Sequence, residues 1–164
     1  STYSLGEFSN AGLLVMIFLM FVGASPGSTG GGIKTSTLFA LIQGIKTAAT
    51  NTSGKAFHYS VPHGVFRKAS VIAVMGISVI AVGTFMLCAF EPDIAIRDAL
   101  FEMTSAFGTV GLTTGITTGL CTASKLTSIV MMYIGRLGPL TIATLWYFTN
   151  GDRIKYPDGN IAIG

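Results

Sequence analysis

Residues 107–115 hold the pattern with the clearest chemical meaning in this chain, a run rich in glycine and threonine with β-branched neighbours. Within this run, Thr109, Val110 and Gly111 follow one another. The carbonyl oxygens of an extended Thr-Val-Gly tripeptide can point one way and replace the hydration shell of an ion, and glycine permits the backbone angles that this requires. The pattern therefore predicts a backbone that coordinates a cation.

The elements around the tripeptide strengthen this interpretation, because a tripeptide alone is a weak signal. Residues 94–106 predict an amphipathic helix of at most about 20 Å, which is too short to cross a membrane. An uncharged span at residues 70–90 precedes it, and a largely apolar span at residues 126–148 follows. This order is typical of a re-entrant pore loop. We therefore predict residues 94–106 as a pore helix and residues 107–115 as a filter.

A second unusual segment, residues 23–35, interrupts the apolar run of residues 11–22 with five glycines, a proline and small hydroxyl side chains that break a helix. The twelve apolar residues rise only about 18 Å, whereas a hydrocarbon core is about 30 Å thick. A break at membrane depth must be buried in protein or line water, because lipid offers its backbone no partners. We therefore predict that this segment lines a permeation path. The alternative is that it forms a cytoplasmic turn between two spans.

The same segment does not match a phosphate-binding P-loop. Gly27 and Gly32 have the required spacing, but Ile33 separates Gly32 from Lys34, where the motif needs glycine and lysine to be adjacent. The residues before it are rich in Leu, Met and Phe and lack the alternation of a strand. Nucleotide binding is therefore not predicted here.

The composition is that of a membrane protein. Hydrophobic residues make up 50% of the 164 residues, charged residues make up 10%, and the mean hydropathy is +0.66. The net charge is only +3, and no basic patch is interleaved with aromatic residues, so nucleic acid is not an expected partner. The cysteines, Cys88 and Cys121, predict neither a disulfide framework nor a metal site, and we expect both to be packing residues. No acid pair, His/Cys cluster or Walker motif predicts an enzyme.

The charges also predict a topology. Residues 46–68 hold four Lys/Arg, two His and no acid, which places this loop in the cytoplasm by the positive-inside rule. Residues 91–102 carry four acids and one base and are predicted to face outward. The chain begins with Ser1 and shows no cleavable leader, so we expect a fragment of a longer protein.

Arg136 is the one charged residue within the span at residues 126–148. An arginine near the middle of a membrane costs from about 2.5 to more than 10 kcal/mol, so we expect it to face a polar interior and to have a function. The alternative is a structural tether to loop carbonyls. Pro139 cannot donate to the carbonyl of Gly135 and predicts a kink beside the arginine.

Two stretches together resemble one family. The first is Gly-Ala-Ser-Pro-Gly-Ser-Thr-Gly-Gly-Gly-Ile-Lys-Thr at residues 23–35, and the second is Ser-Ala-Phe-Gly-Thr-Val-Gly-Leu at residues 105–112 with Gly-Arg-Leu-Gly-Pro at residues 135–139. They resemble the bacterial KtrB/TrkH potassium-uptake proteins, and the KtrB branch more closely. That family repeats a helix, pore-loop, helix unit four times around one pore. The resemblance implies that this chain holds the second helix of repeat three and all of repeat four.

The resemblance also implies an organisation and a site. It implies an all-α membrane protein in four parts. The first is a broken transmembrane helix over residues 1–49 with an intramembrane gating loop at 23–35, and a cytoplasmic linker over 50–69 follows it. A helix/pore-loop/helix repeat over 70–148 and a cytoplasmic tail over 150–164 complete the chain. The filter residues would be Thr109, Val110, Gly111 and Leu112, with K⁺ at the backbone carbonyls of the first three. The gate residues would be Gly27, Ser28, Thr29, Gly30, Gly31, Gly32, Lys34 and Arg136. For Lys34, an interfacial lysine that reaches toward water is an equal alternative.

The function implied by the resemblance is potassium uptake across the bacterial plasma membrane by the pore-forming, multi-pass subunit, with K⁺ transported, Na⁺ assisting and no cofactor. The implied partners are a second copy of the full-length protein, a cytosolic KtrA/TrkA-like regulatory subunit that binds nucleotides, and membrane lipid. Two alternatives stay open, which are a broken-helix secondary transporter of another solute and a structural membrane subunit that does not conduct.

Overall fold

Five α-helices make up most of the chain in a computed structural model that describes residues 5–50, 55–56, 59–60, 63–138 and 141. They are α1 (Asn10–Phe21), α2 (Thr35–Thr50), α3 (His63–Phe90), α4 (Ile96–Gly108) and α5 (Thr122–Leu137). Short 3₁₀ turns occur at Leu5–Glu7 and Ile116–Gly119, and the strands β1 (Lys55–Ala56) and β2 (Tyr59–Ser60) form a minimal antiparallel pair. Apart from this pair the described regular structure is helical, which confirms the predicted all-α class.

Helix α3 is the longest element and rises about 42 Å over its length. Its Gly64–Phe90 portion is the one helix, within the described ranges, that is long and apolar enough to cross a membrane. The helix begins at His63 rather than at residue 70, so the exposed residues Arg67 and Lys68 form its first turns instead of lying in a linker. Long basic side chains are good helix formers, and they extend the helix beyond its apolar part.

Helices α1 and α2 are separated by a loop at residues 22–34, where the sequence predicts a break. The two ends of the loop are hydrogen-bonded to each other, because the N–H of Gly23 donates to the carbonyl of Ile33 at 2.7 Å and the N–H of Ile33 donates to Phe21 at 3.1 Å. The loop therefore leaves α1 and enters α2 at nearly the same point. It is a closed excursion between two half-length helices.

Helix α4 lies at the centre of the described fold and packs against α1, α3 and α5. Every residue from 101 to 108 is buried. One apolar cluster joins α4 to α3 and α5 and includes Leu87, Met103, Phe107 and Met131. A second cluster joins α4 to α1 and includes Leu13, Met20 and Phe101. The outward faces of α1, α3 and α5 carry many exposed large apolar side chains, as suits contact with lipid.

The bounds of α4 differ from the prediction. The sequence predicts a helix over residues 94–106, and the observed helix runs two residues later at both ends. Phe107 and Gly108, assigned to the filter from the sequence, therefore form the last turn of α4. Thr109, and not Gly108, takes the left-handed conformation that ends the helix, so the helix includes Gly108.

Helix α5 begins at Thr122 rather than at residue 126, because Cys121 is its N-cap. The Cys121 sulfur accepts a hydrogen bond from the N–H of Ser124 at 3.5 Å, and the residue is exposed, so it is not the packing residue that the sequence suggested. The helix is described as far as Leu137. The kink expected at Pro139, the end of the predicted span and the tail over 150–164 lie outside the described residues.

A hydrogen bond joins the end of α3 to the start of α5. The N–H of Cys121 donates to Glu91 Oε1 at 2.6 Å. This hydrogen bond, with smaller contributions from the Cys121 thiol, the Ser124 hydroxyl and the charge of Lys125, lowers the pKa of Glu91. The bond therefore stabilises the fold above the ordinary pKa of a glutamate, and this stabilisation is lost as the pH falls through the lowered pKa.

A substitution at Gly135 tests the packing of α5 against α4. A Cβ at Gly135 would lie 1.8 Å from the carbonyl oxygen of Phe107, so Gly135→Ala must push α5 away from α4. Overpacking typically costs about 1–3 kcal/mol, and here backbone rather than a side chain must move. We expect a clearly lower thermal midpoint for the intact protein in detergent. The control is Gly119→Ala, where a Cβ meets nothing within 4 Å. Equal midpoints for the two variants would contradict the packing.

Candidate ion pathway and gate

The candidate site is built on the carbonyl end of α4. This end is closed by two backbone hydrogen bonds, from the N–H of Thr109 to the carbonyl of Ala106 at 3.1 Å and from the N–H of Val110 to Ser105 at 3.0 Å. The pattern is a Schellman motif, in which the residue after the helix is left-handed. The C-terminal end of a helix carries a partial negative charge. The segment that follows Thr109 therefore starts in a potential that attracts cations.

Thr109 occupies this left-handed position with a φ of +53°, and it is the one residue other than glycine with a positive φ in the described part of the chain. For a β-branched residue this conformation is an outlier and costs about 1–2 kcal/mol. The Thr109 hydroxyl accepts a hydrogen bond from the N–H of Gly31 at 2.8 Å, which holds it toward the glycine-rich loop. Backbone strain of this kind is typical of functional sites.

The predicted filter residues Val110, Gly111 and Leu112 follow without regular structure. Val110 and Gly111 are exposed, and Leu112 is half-buried. Gly111 has a φ of +84°, which side chains of L-residues rarely adopt, although a Cβ there would meet nothing within 4 Å. The choice of glycine at this position is therefore explained by backbone conformation and not by crowding.

A cavity of about 650 Å³ lies beside this segment. Its lining includes Thr109, Gly111, Leu112 and Arg136 from the predicted site, together with Glu102. The fold therefore brings Arg136, from the last turn of α5, to the same cavity as three predicted filter residues. Val110 and the residues of the glycine-rich loop are not among those that line it.

The glycine-rich loop contacts α4 instead, at the same helix end. A Cβ at Gly31 would lie 2.6 Å from the carbonyl oxygen of Phe107, the atom that Gly135 of α5 also approaches. A Cβ at Gly108 would lie 2.6 Å from the carbonyl oxygen of Met20 in α1. The loop, α1 and α5 all reach the end of α4 through contacts that only glycine permits.

The loop satisfies its own carbonyls with Lys34. The ammonium of Lys34 donates to the carbonyl of Gly30 at 2.6 Å and to that of Ser28 at 3.2 Å. Arg136, which could also supply donors, is exposed and forms no hydrogen bond or ion pair with the described residues. Within the loop, Gly31 and Gly32 are buried, whereas Gly27, Ser28 and Thr29 are exposed.

The sequence did not predict a polar network that lies next to the predicted filter segment. Glu102 is only 8% exposed, and its Oε1 accepts hydrogen bonds from the hydroxyls of Thr113 and Thr117. From the sequence, Glu102 counted only as one of the outward-facing acids. An acid near the middle of a short helix that is otherwise largely apolar was the available signal.

Comparisons with known proteins show which proteins this chain is similar to. A family model described as TrkH, a cation transport protein, matches residues 1–154. The chain is 34% identical to the Ktr system potassium uptake protein B of Bacillus subtilis, over 97% of this chain and 36% of that protein. It is 36% identical to the potassium/sodium uptake protein NtpJ of Enterococcus hirae, over 96% of this chain and 37% of that protein.

A third relative, the Ktr system potassium uptake protein B of Vibrio alginolyticus, is 35% identical over 100% of this chain and 36% of its own length. The chain thus spans little more than a third of the length of these three relatives, all of which are named as uptake proteins and none as an enzyme. The family match covers nearly all of the chain, including the loop, α4 and α5. This chain belongs to the TrkH family of cation transport proteins.

Proposed function

We propose that this chain supplies one filter segment and the gate of a potassium-uptake pore in the bacterial plasma membrane. The observation that carries the proposal is the carbonyl end of the half-length helix α4, which opens through Gly111 at positive φ into a cavity. The negative end of a helix favours a nearby cation, and backbone carbonyls can replace its water. The names of the relatives, which take up potassium or potassium and sodium, support the choice of ion.

In this proposal K⁺ binds to the backbone carbonyls of Thr109, Val110 and Gly111, and Leu112 closes the filter segment. One segment cannot surround an ion, so the rest of the ring comes from parts of the longer protein. Na⁺ is the second candidate cation, because one relative is named for both ions. Transport of another kind of solute is not favoured, since the family model describes cation transport.

The proposed gate consists of the loop residues Gly27 to Gly32, with Lys34, and of Arg136. The loop rests against Phe107 and Thr109, where the proposed filter segment begins. Lys34 keeps the loop folded on itself, and within the described ranges the bond from Gly31 to Thr109 is the one hydrogen bond that joins residues 27–32 to another element. A displacement of a few ångströms can then open the path at small cost. Arg136 adds a positive charge beside the cavity that repels cations.

The full protein is proposed to be multi-pass and homodimeric, with a nucleotide-binding regulatory subunit on its cytosolic side. The charge pattern supports this orientation, because Lys46 at the end of α2 and Arg67 and Lys68 at the start of α3 are exposed basic residues. With Lys55 they form the proposed docking face. The exposed apolar faces of α1, α3 and α5 suit lipid or the remaining repeats of the protein.

Gly111→Ser tests the filter and the function together. Serine adds a Cβ that a φ of +84° tolerates poorly, so the carbonyls should shift while the protein still inserts. In cells that depend on the full-length protein for potassium, we expect the parent to take up rubidium. The variant should show an apparent KM several-fold higher or admit sodium.

Gly119→Ser is the matched control for this variant, because a Cβ there also meets nothing within 4 Å but the position has no positive φ. It should behave as the parent does. Unchanged affinity and selectivity in Gly111→Ser would remove this segment from the filter. A parent protein that takes up no rubidium would refute the proposed function itself.

Two further variants test the gate. Deletion of residues 28–32 removes the obstruction, and Arg136→Ala removes the positive charge beside the cavity. Both should raise the maximal rate of potassium uptake several-fold. The apparent KM should change little in Arg136→Ala, which leaves the loop and the filter contacts in place, whereas the deletion also removes the N–H of Gly31 that donates to Thr109, so its maximal rate is the readout for the gate. Lys125→Ala, which removes a positive charge at the other end of α5, is the control. Parental or slower uptake by both variants at normal membrane levels would contradict the gate.

Thr109→Val tests the link between loop and filter. Valine keeps the branched shape but leaves the buried N–H of Gly31 without its partner, at a cost of about 1–3 kcal/mol. In the full-length protein we expect hydrogen–deuterium exchange of the peptide over residues 23–33 to become about tenfold faster, because 1.4 kcal/mol is a factor of ten. Thr109→Ser keeps the hydroxyl and should exchange almost as the parent does. Equal exchange in Thr109→Val and the parent would show that this bond does not hold the loop.

A further inference from the structure

The carboxylate of Glu102 is buried in the middle of α4, where its neighbours Phe101 and Met103 are fully buried apolar residues. Removing a carboxylate from water costs several kcal/mol unless hydrogen bonds or an opposite charge replace the lost hydration. No basic side chain forms an ion pair with it in the described ranges. Its hydrogen bonds are therefore what makes its burial tolerable.

These hydrogen bonds come from the segment that follows the filter. Thr113 and Thr117 donate to Glu102 Oε1, the second across 3.0 Å. The two hydroxyl oxygens are 2.7 Å apart, so the single hydroxyl proton of Thr117 can be donated either to Glu102 Oε1 or to the Thr113 hydroxyl. The N–H of Gly115 donates to the Thr113 hydroxyl at 2.9 Å. One carboxylate oxygen thus organises three residues across a turn.

Backbone pairing does little to fix this segment. Gly111 and Gly115 both have positive φ, and outside the regular elements no backbone–backbone hydrogen bond joins residues 111–114 to any other described residue. The Thr113 hydroxyl, with its hydrogen bonds to Glu102, Gly115 and Thr117, is therefore the main polar attachment of this segment to the fold. Because Gly111 lies two residues away, the anchor also limits where its carbonyl can lie.

We propose that Glu102 is a positioning residue that determines the cation specificity of the pore. It does not touch the ion, and it acts through Thr113 and Thr117 by fixing the distance between the filter carbonyls and the rest of the ring. A ring that loosens can contract around the smaller Na⁺, so loss of the anchor lowers discrimination. This inference rests on the proposed function and extends it to a residue outside the filter.

The test uses the full-length protein in cells that depend on it for potassium, with rubidium uptake measured against increasing sodium. The ratio of the two apparent affinities does not depend on the amount of protein in the membrane. We expect Glu102→Ala and the double variant Thr113→Val with Thr117→Val each to lower the rubidium preference about tenfold, the size expected when one or two hydrogen bonds to a charged group are lost.

Two variants separate positioning from other effects. Glu102→Gln has no charge but keeps an oxygen that accepts both hydroxyls, so it should stay within about threefold of the parent. Thr118→Val makes the same chemical change in the same turn at a hydroxyl that forms no hydrogen bond among the described residues, and it should have no effect. Glu102→Ala combined with the double variant should be no worse than Glu102→Ala alone, because all three residues act through one contact.

The proposal is overturned if Glu102→Ala transports with unchanged preference, or if Glu102→Gln is as impaired as Glu102→Ala, which would show that charge and not position matters. If Glu102→Ala fails to reach the membrane, the threonine double variant decides, and a parental preference in it overturns the proposal. Absence of rubidium uptake by the parent refutes the proposed function instead, so the two failures are distinguishable.

Discussion

The close approach of backbone to backbone at the carbonyl end of α4 is the constraint on which the rest of this structure depends. A Cβ would lie 1.8 Å from the Phe107 carbonyl oxygen at Gly135 and 2.6 Å from it at Gly31, and at Gly108 it would lie 2.6 Å from the Met20 carbonyl oxygen. Only glycine permits these contacts. They bring α1, α5 and the loop to the negative end of one short helix, which is where a cation pathway needs fixed partial charges and no bulky side chains.

The polar groups of the site follow from this arrangement, because a backbone that leaves regular structure at membrane depth must find its partners within the protein. On the loop side, Lys34 binds two loop carbonyls and Thr109 accepts the N–H of Gly31. On the side of the proposed filter segment, Glu102 accepts hydrogen bonds from the hydroxyls of Thr113 and Thr117. The segment between Thr109 and Thr113 is thus held at its two ends by side chains, and in between the N–H of Val110, which donates to Ser105, is its one backbone hydrogen bond to the described residues outside regular structure.

Much of this could be predicted from the sequence, because hydrophobic runs and glycine clusters are local signals. The uncharged run of α3 predicted a span, and the glycines of residues 23–35 predicted a break. The end of α4 was misplaced by two residues, since glycine at position 108 is the expected helix stop and a left-handed Thr109 is not. The Glu102 network could not be predicted, because its partners lie 11 and 15 residues away and no periodicity relates them. The same holds for the bond between Gly31 and Thr109, which are 78 residues apart.

The central claim is that backbone carbonyls after α4 bind the transported cation. The most direct test is anomalous X-ray scattering from crystals of the full-length protein grown with thallium, a heavy substitute for potassium. The account predicts anomalous peaks within coordination distance of the carbonyl oxygens of Thr109, Val110 and Gly111, and loss of those peaks in Gly111→Ser. Thallium bound elsewhere along the pathway, with none beside these three residues, would contradict it.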